Sequence, residues 1–222
     1  MNLPNKLTVS RFGITVLFVA VVLVDWKWST SIAALLFLIG GLTDIADGYI
    51  ARKRNLQTDF GKLMDPLADK ILVTAGFIVL VGMEMKMTPE ELGAYKLPEA
   101  FAAPGLPGHP LMPAWMVIII VARELAITGL RLLAANKQVV LSADNIGKSK
   151  TVFQITAIIS MLVLISYPEW GDGWKQFFGW KISGVPWGIG FVFFVTWGAV
   201  VLTLVSGANY LWSNRAVYLK DM

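Results

Sequence analysis

Long apolar segments alternate with shorter polar connections along most of this 222-residue chain. A transmembrane α-helix needs about 20 predominantly apolar residues, and six segments meet or approach that length. They lie at residues 7–24, 30–51, 66–85, 112–133, 151–167 and 185–212. Because these segments take up most of the chain, the pattern predicts an all-α integral membrane protein, with six transmembrane helices in a single domain that spans residues 1–222.

The connections between these segments differ in charge on the two sides of the predicted membrane. With a cytoplasmic amino terminus, thirteen of the 19 Lys and Arg residues fall on the cytoplasmic side and five on the other, and Arg123 lies inside the fourth segment. Cytoplasmic loops of membrane proteins carry an excess of Lys and Arg. The distribution therefore predicts that both termini are cytoplasmic.

The two long connections on the opposite side offer no obvious chemistry. The first, at about 86–111, contains the sequence TPEE, which predicts a short surface helix capped by Thr88. The second, at about 168–185, is predicted to be a loop whose aromatic side chains lie at the membrane interface. Those aromatic residues are Trp170, Trp174 and Trp180.

The amino-acid composition narrows the class of protein. The chain is 56% hydrophobic and 15% charged, which is far too apolar for an ordinary soluble domain. It has no Cys, so thiolate metal ligands and thiol nucleophiles are excluded. The net charge of +4 is explained by Lys and Arg residues beside the membrane, and we expect no nucleic-acid partner.

Two pairs of aspartates lie where the second and third predicted helices meet the cytoplasmic side. Asp44 and Asp47 are three residues apart, and Asp65 and Asp69 are four apart, so each pair shares one face of its helix. The polar connection between the helices is short enough for an antiparallel hairpin, and Asp59 within it is predicted to be a loop residue. The two pairs can therefore converge near the cytoplasmic surface.

Four converging carboxylates raise one another's pKa unless cations neutralise them. Oxygen ligands favour Mg²⁺, Mn²⁺ or Ca²⁺, and paired metal ions stabilise the entering and leaving oxygens in displacement at phosphorus. Two other interpretations are helix caps or solvated interfacial residues, and the pathway of an ion transporter. Transport is disfavoured because the four aspartates cluster at one end of the predicted helices.

Around these aspartates the chain resembles the CDP-alcohol phosphatidyltransferase family. Eight residues match the signature D-x2-D-G-x2-A-R-x8-G-x3-D-x3-D without a gap: Asp44, Asp47, Gly48, Ala51, Arg52, Gly61, Asp65 and Asp69. For the fold, the resemblance implies six helices with cytoplasmic termini and an active site at the cytoplasmic interface.

The same resemblance implies a reaction and a role for each motif residue. The four aspartates would hold two divalent cations, Mg²⁺ or Mn²⁺, against the pyrophosphate of a CDP-linked lipid. Asp69 would also be the general base that deprotonates the acceptor alcohol, whose attack on the lipid-bearing phosphorus releases CMP. The remaining signature residues would lie against the nucleotide: Gly48, Ala51, Arg52 and Gly61.

Basic residues form a second group, with Arg123 and Arg131 in the fourth segment and Lys148 and Lys150 at the start of the fifth. A buried arginine is costly and is functional by default, and together these cations suit an acceptor that carries a phosphate. Glu124 is expected to point elsewhere on the helix, where it would orient another group or form a structural ion pair. The two lysines could instead be cytoplasmic anchors.

Three further stretches are similar to those of one subgroup of the family, which transfers the phosphatidyl group of CDP-diacylglycerol to glycerol 3-phosphate. They are PNKLTVSR at 4–11, ARE at 122–124 and GKSKTVFQ at 147–154. In that subgroup's pattern Asn5 and Thr8 would approach the nucleotide. The acceptor phosphate would be surrounded by Arg11, Arg123, Arg131, Lys148 and Lys150.

Other acceptors remain open, namely inositol phosphate, serine and phosphatidylglycerol. A basic pocket argues against serine and phosphatidylglycerol, but it does not separate glycerol 3-phosphate from inositol phosphate. The resemblance further implies a homodimer. It also implies that each chain crosses a bacterial cytoplasmic membrane several times and contacts the membrane lipids.

Overall fold

The computed structural model of the chain describes residues 3–24, 26–54, 59–84, 111–136, 145–182 and 185–215. Over these ranges the chain forms seven α-helices, one turn of 3₁₀ helix and a small antiparallel hairpin. The helices are α1 (Leu3–Leu23), α2 (Ser29–Arg54), α3 (Asp59–Val81), α4 (Ala114–Asn136), α5 (Asn145–Ser166), α6 (Asp172–Gly179) and α7 (Trp187–Ser213). The 3₁₀ turn is Tyr167–Glu169, and the strands are β1 (Lys181–Ile182) and β2 (Val185–Pro186).

Each of the six apolar segments falls on a separate long helix, which confirms the predicted helical fold and the order of its helices. Two helical stretches, Ser149–Glu169 and Trp187–Ser213, are long and apolar enough to cross a membrane. Shorter apolar stretches are Thr8–Leu23, Ser29–Thr43 and Lys70–Val81. The described residues therefore support a helical membrane protein, and the crossing of all six helices stays a prediction.

Two helix ends lie beyond the apolar segments that predicted them. α2 continues to Arg54 and α3 already begins at Asp59, so the prediction of a loop residue at Asp59 is wrong. Hydropathy marks where a helix is apolar, whereas helical hydrogen bonding continues through good helix formers such as Arg. An Asp in the first turn also interacts favourably with the helix dipole.

The long helices pack as two groups that share a core. α1, α2 and α3 pack against one another, α5 packs along α7, and both α2 and α3 contact α5. α4 lies against α7 and α3. Side chains such as Phe37, Phe77 and Ile158 are buried between the helices, and the rings of Phe18 and Phe37 lie 5.6 Å apart.

The outward faces of these helices are also apolar. Large side chains such as Val16, Ile118, Leu125 and Phe194 are exposed. On a water-soluble monomer an apolar surface of this extent would favour aggregation, whereas lipid solvates it. The surface therefore fits helices that face a bilayer.

The connection between α5 and α7 is folded, which corrects the prediction of a loop at 168–185. Gly171 turns the chain into α6 with a φ of 110°, a conformation that a residue without a side chain adopts most readily. Trp170 Nε1 donates to Ser31 Oγ at 2.8 Å and so ties this connection to the start of α2. The aromatic residues of α6 share one face because of their helical spacing: Trp174, Phe177 and Phe178. The helix predicted to start at Thr88 lies outside the described residues.

Gly76 lies where α3 packs against α2 and α5. A Cβ at this position would lie 2.9 Å from Phe37 Cε2 and 2.9 Å from Ile158 Cδ1, so a larger side chain would push these buried groups apart. We expect Gly76→Val to lower the free energy of unfolding by about 1–3 kcal/mol, as measured by thermal denaturation in detergent. In the control Gly129→Ala, where nothing lies within 4 Å of the added Cβ, stability should not fall. Equal stability of the two variants would contradict this packing.

Candidate active site

A cavity of about 660 Å³ opens between α1, α2, α3, α4, α5 and α7. Its volume lies within the range of small-molecule sites, about 300–1,000 Å³. Much of its wall is apolar, with Phe37, Leu72 and Ile155 among the lining residues. The charged side chains that the structure describes in the wall are five cations and one carboxylate: Arg11, Lys70, Arg123, Arg131, Lys150 and Glu124.

Four of the residues predicted to surround an acceptor phosphate line this one cavity. Arg11 lies on α1, Arg123 and Arg131 lie on α4, and Lys150 lies on α5. Arg11 is fully buried, and Lys150 is only 5% exposed. The side chain of the fifth residue, Lys148, lies outside the described residues. Folding thus brings together cations that are far apart in the sequence.

Glu124 joins two of these cations. Its Oε1 accepts hydrogen bonds from Lys150 Nζ and from Arg123 Nη1, the latter at 3.3 Å. All three side chains are largely buried, and an anion between two buried cations lowers the free-energy cost of placing them close together. The alternative of a structural ion pair for Glu124 is therefore confirmed. The expectation that its side chain points away from Arg123 is wrong, because adjacent long side chains can still reach each other.

α7 supplies polar groups to both arginines of α4. Arg123 Nη2 donates to Ser206 Oγ at 3.1 Å, and Arg131 Nε donates to Tyr210 Oη at 3.2 Å. Arg131 Cζ also lies 5.4 Å from the centroid of the Tyr210 ring, within cation–π distance. Sequence reasoning missed both residues, although polar groups inside an apolar helix are a signal for a site.

Lys70 connects α3 to α4 at the cavity wall. Its Nζ donates to Thr128 Oγ1, and the Thr128 hydroxyl in turn donates to the backbone carbonyl of Glu124 at 2.6 Å. No role was predicted for Lys70 beyond its contribution to the cytoplasmic positive charge. Its position follows Asp69 directly, so the wall of the cavity continues along α3 to the residue next to that aspartate.

The four signature aspartates lie on two helices that pack against each other. Two are on α2 and two are on α3, at the predicted spacing, and their side chains lie outside the described residues: Asp44, Asp47, Asp65 and Asp69. Gly41 and Leu42 line the cavity just before the first pair, and Lys70 lines it just after the second. The cavity therefore reaches the backbone that carries both pairs.

Comparison with known protein families covers nearly the whole chain. A model of CDP-alcohol phosphatidyltransferases matches residues 1–205, a range that includes all eight signature positions. The chain belongs to the CDP-alcohol phosphatidyltransferase family. The resemblance seen in the signature alone is thereby confirmed along α1 to α6 and through most of α7.

Named relatives within this family match the chain along much of its length. A CDP-diacylglycerol–glycerol-3-phosphate 3-phosphatidyltransferase of Bacillus subtilis (strain 168) is 36% identical over 231 residues, covering 96% of this chain and 95% of the relative. A protein of the same name from Rickettsia bellii (strain RML369-C) is 31% identical over 209 residues, covering 94% and 93%. A cardiolipin synthase (CMP-forming) of Oryza sativa subsp. japonica is 30% identical over 166 residues, covering 73% of this chain and 46% of the relative.

The residues predicted to contact the nucleotide lie on the first three helices of this phosphatidyltransferase fold. Thr8 is fully buried on α1, and its three-residue spacing from Arg11 places both on the same face. The others lie on α1, α2 and α3, with side chains outside the described residues: Asn5, Gly48, Ala51, Arg52 and Gly61. α1 thus presents Thr8 one turn from a charged residue of the cavity wall.

A double-mutant cycle tests the pairing of Glu124 with Lys150. Each of Glu124→Gln and Lys150→Gln leaves a largely buried charge without this partner, so we expect each to lower the free energy of unfolding by about 1–3 kcal/mol. The double variant should lose about 1 kcal/mol less than the sum of the two single losses. Thermal unfolding of the purified protein in detergent measures all three. Strictly additive losses would show that the two side chains do not stabilise each other.

Proposed function

We propose that the chain transfers the phosphatidyl group of CDP-diacylglycerol to glycerol 3-phosphate, giving phosphatidylglycerophosphate and CMP. The observation that carries the proposal is the cationic cavity wall, which adjoins the two helices bearing the family's aspartates. The two bacterial relatives named for glycerol 3-phosphate, at 36% and 31% identity, support this choice of acceptor.

The four signature aspartates would hold two divalent cations, Mg²⁺ or Mn²⁺. Carboxylate oxygens are the ligands that these ions prefer, and pairs spaced by three and four residues on two packed helices can face a common point. When bound, the ions would neutralise the pyrophosphate of the donor and stabilise the departing CMP. The ligand residues are Asp44, Asp47, Asp65 and Asp69, and the donor chemistry of this set supports the assignment.

Asp69 would act as the general base of the reaction. Its carboxylate would take the proton of the acceptor hydroxyl while that oxygen forms a bond to the lipid-bearing phosphorus. The bond from this phosphorus to the bridging pyrophosphate oxygen breaks, and CMP leaves with the bonding electrons. The place of Lys70 in the cavity wall, one residue further along α3, supports a position for Asp69 close to the bound acceptor.

The cationic wall would bind the phosphate of the acceptor. Arginine offers forked donors and lysine a point charge, and both recognise phosphate well. A phosphate monoester brings a charge of about −1.5 to −2 at pH 7, which the excess of cations over carboxylates in the described wall can balance. The residues proposed for this role are Arg11, Arg123, Arg131, Lys148 and Lys150.

The nucleotide would lie against the first three helices. Gly48 and Gly61, which have no side chain, and the small Ala51 would allow a ligand to approach the backbone closely. Arg52 would supply a cation. Asn5 and Thr8 would add polar contacts from α1, as the family pattern implies. The donor would therefore lie along α1, α2 and α3, and the acceptor would enter between α1, α4 and α5.

The enzyme is proposed to cross a bacterial cytoplasmic membrane six times, with both termini and the active site on the cytoplasmic side. Two long apolar helices, apolar outward faces and the uneven distribution of Lys and Arg support this topology. At the interface, the acyl chains of the donor can stay in lipid while a water-soluble acceptor arrives from the cytoplasm. A homodimer stays a prediction from the family resemblance.

A second candidate is a sibling transferase with another acceptor. Because one relative is named cardiolipin synthase (CMP-forming), phosphatidylglycerol is kept as an alternative acceptor. The basic wall also suits inositol phosphate. The cationic residues argue against serine, which carries no phosphate. They argue less strongly against phosphatidylglycerol, whose phosphodiester carries a single negative charge.

Release of CMP by the purified protein tests the acceptor directly. With CDP-diacylglycerol and Mg²⁺ or Mn²⁺, we expect turnover with glycerol 3-phosphate and none when a chelator removes the divalent cations. Inositol phosphate, serine and phosphatidylglycerol, each added in turn, are the matched comparisons. Turnover with one of these and none with glycerol 3-phosphate would assign the protein to another branch of the family.

Replacement of Asp69 by Asn tests the general base. The amide cannot accept the proton of the acceptor, and general-base catalysis contributes about 10²–10⁴-fold, so we expect the rate of CMP release to fall at least that far. Binding of CDP-diacylglycerol, measured by calorimetry in detergent, should change much less. Near-normal turnover of Asp69→Asn would exclude the proposed role.

A further inference from the structure

Three residues of α7 form a face that contacts both arginines of α4. They are Ser206, Gly207 and Tyr210, and we name this face the α7 cradle. Tyr210 follows Gly207 by three residues and Ser206 by four, and both spacings bring positions together on one side of a helix. All three residues are buried, and Tyr210 also packs with Ile127 and Leu130 of α4. The cradle is thus part of the packed interface between α4 and α7.

Gly207 determines the space available to Arg123. A Cβ at position 207 would lie 2.8 Å from Arg123 Cγ and 3.5 Å from its Nε. Cγ is close to the root of the arginine side chain, so it cannot move aside without displacing the whole guanidinium. The absence of a side chain at Gly207 therefore fixes where Arg123 can lie.

Hydrogen bonds hold the guanidinium of Arg123 from two directions. Nη1 donates to Glu124 at 3.3 Å, and Nη2 donates to Ser206 Oγ at 3.1 Å. The Ser206 hydroxyl itself donates to the Thr203 carbonyl at 3.3 Å, which leaves its oxygen to accept from Arg123. Among the residues that the structure describes, buried Nε has no acceptor. Since an unpaired buried donor costs free energy, packing against Gly207 and the two Nη contacts must maintain this position.

Tyr210, at the other end of the cradle, holds the guanidinium of Arg131 by a hydrogen bond and a ring contact. Its hydroxyl accepts from Arg131 Nε, and its ring lies beneath the guanidinium. These contacts engage one edge and one face of the planar group. The guanidinium is thereby oriented at a position where Arg131 lines the cavity.

We infer that the α7 cradle positions Arg123 and Arg131 to bind the phosphate of the acceptor. The inference rests on the proposed function in taking the acceptor to carry a phosphate.

Three glycine variants of α7 test this inference in the purified full-length protein. Gly207→Ala would displace Arg123. Gly198→Ala would clash with Phe153, 2.5 Å from the added Cβ, and Gly190→Ala meets nothing within 4 Å. Gly198→Ala therefore controls for a general packing defect, and Gly190→Ala controls for the substitution itself.

The readouts separate positioning from stability. In calorimetry in detergent, we expect Gly207→Ala to weaken the binding of inorganic phosphate and of glycerol 3-phosphate about tenfold, equivalent to about 1.4 kcal/mol. The KM for glycerol 3-phosphate should rise similarly, while the KM for CDP-diacylglycerol stays within about twofold. Gly198→Ala should lower Tm and leave phosphate affinity unchanged, and Gly190→Ala should change neither.

Substitutions of Tyr210 give a graded second test. Tyr210→Phe removes only the hydroxyl acceptor, whereas Tyr210→Leu also removes the aromatic ring. We expect phosphate affinity to fall in the order wild type, Tyr210→Phe, Tyr210→Leu, because the second variant loses both contacts with Arg131. Equal phosphate affinity in all three proteins would remove Tyr210 from the cradle.

The outcomes distinguish the cradle from the proposed function. If phosphate binding depends on Gly207 but no CMP is released with glycerol 3-phosphate as acceptor, the cradle's role in phosphate binding is supported. The assignment of glycerol 3-phosphate as the acceptor is then wrong. If the wild type turns over glycerol 3-phosphate and Gly207→Ala matches it in KM and phosphate affinity, the cradle fails and the acceptor assignment stands. Equal loss of phosphate affinity in Gly198→Ala, or no phosphate binding by the wild type, would also overturn the cradle.

Discussion

The structure depends on keeping several cations close together at the edge of an apolar helix bundle. Moving an ion out of water costs several kcal/mol even after relaxation, and like charges add repulsion to that cost. Glu124 meets this constraint, since a single carboxylate oxygen accepts hydrogen bonds from both Lys150 and Arg123. Such a pairing adds little net stability relative to an apolar core. Its effect is to fix the directions in which the two cations point.

The same contacts connect helices whose relative positions along their axes would not be determined by apolar packing alone. Glu124 of α4 bonds to Lys150 of α5, and Arg123 bonds to Ser206 of α7. Lys70 reaches from α3 to Thr128 of α4. The apolar core supplies the larger part of the stabilisation, whereas directional hydrogen bonds select one register among many apolar ones. The cavity wall and the helix arrangement are therefore set by the same side chains.

Sequence reasoning located the helices and the cationic residues but not the contacts between helices. Hydropathy indicates an apolar helix directly, and Arg123 was noticed because a charge within an apolar segment is costly. The contact of Glu124 with Lys150, and those of Ser206 and Tyr210 with α4, depend on how helices rotate against one another. No short-range pattern encodes that rotation. α6 was missed for a related reason, since its aromatic residues also fit a loop at the membrane interface.

Glu124 determines how two of the cavity's cations are held before a substrate binds. The cations of α4 and α5 line the cavity, and the described carboxylate that accepts from two of them is Glu124. An acceptor phosphate would compete with Glu124 for donors that are already oriented, so binding would exchange one anion for another and would not have to assemble a site from separated, repelling cations. Because Lys150 and Arg123 already have an anionic partner, the site can remain assembled within an apolar bundle before its substrate arrives.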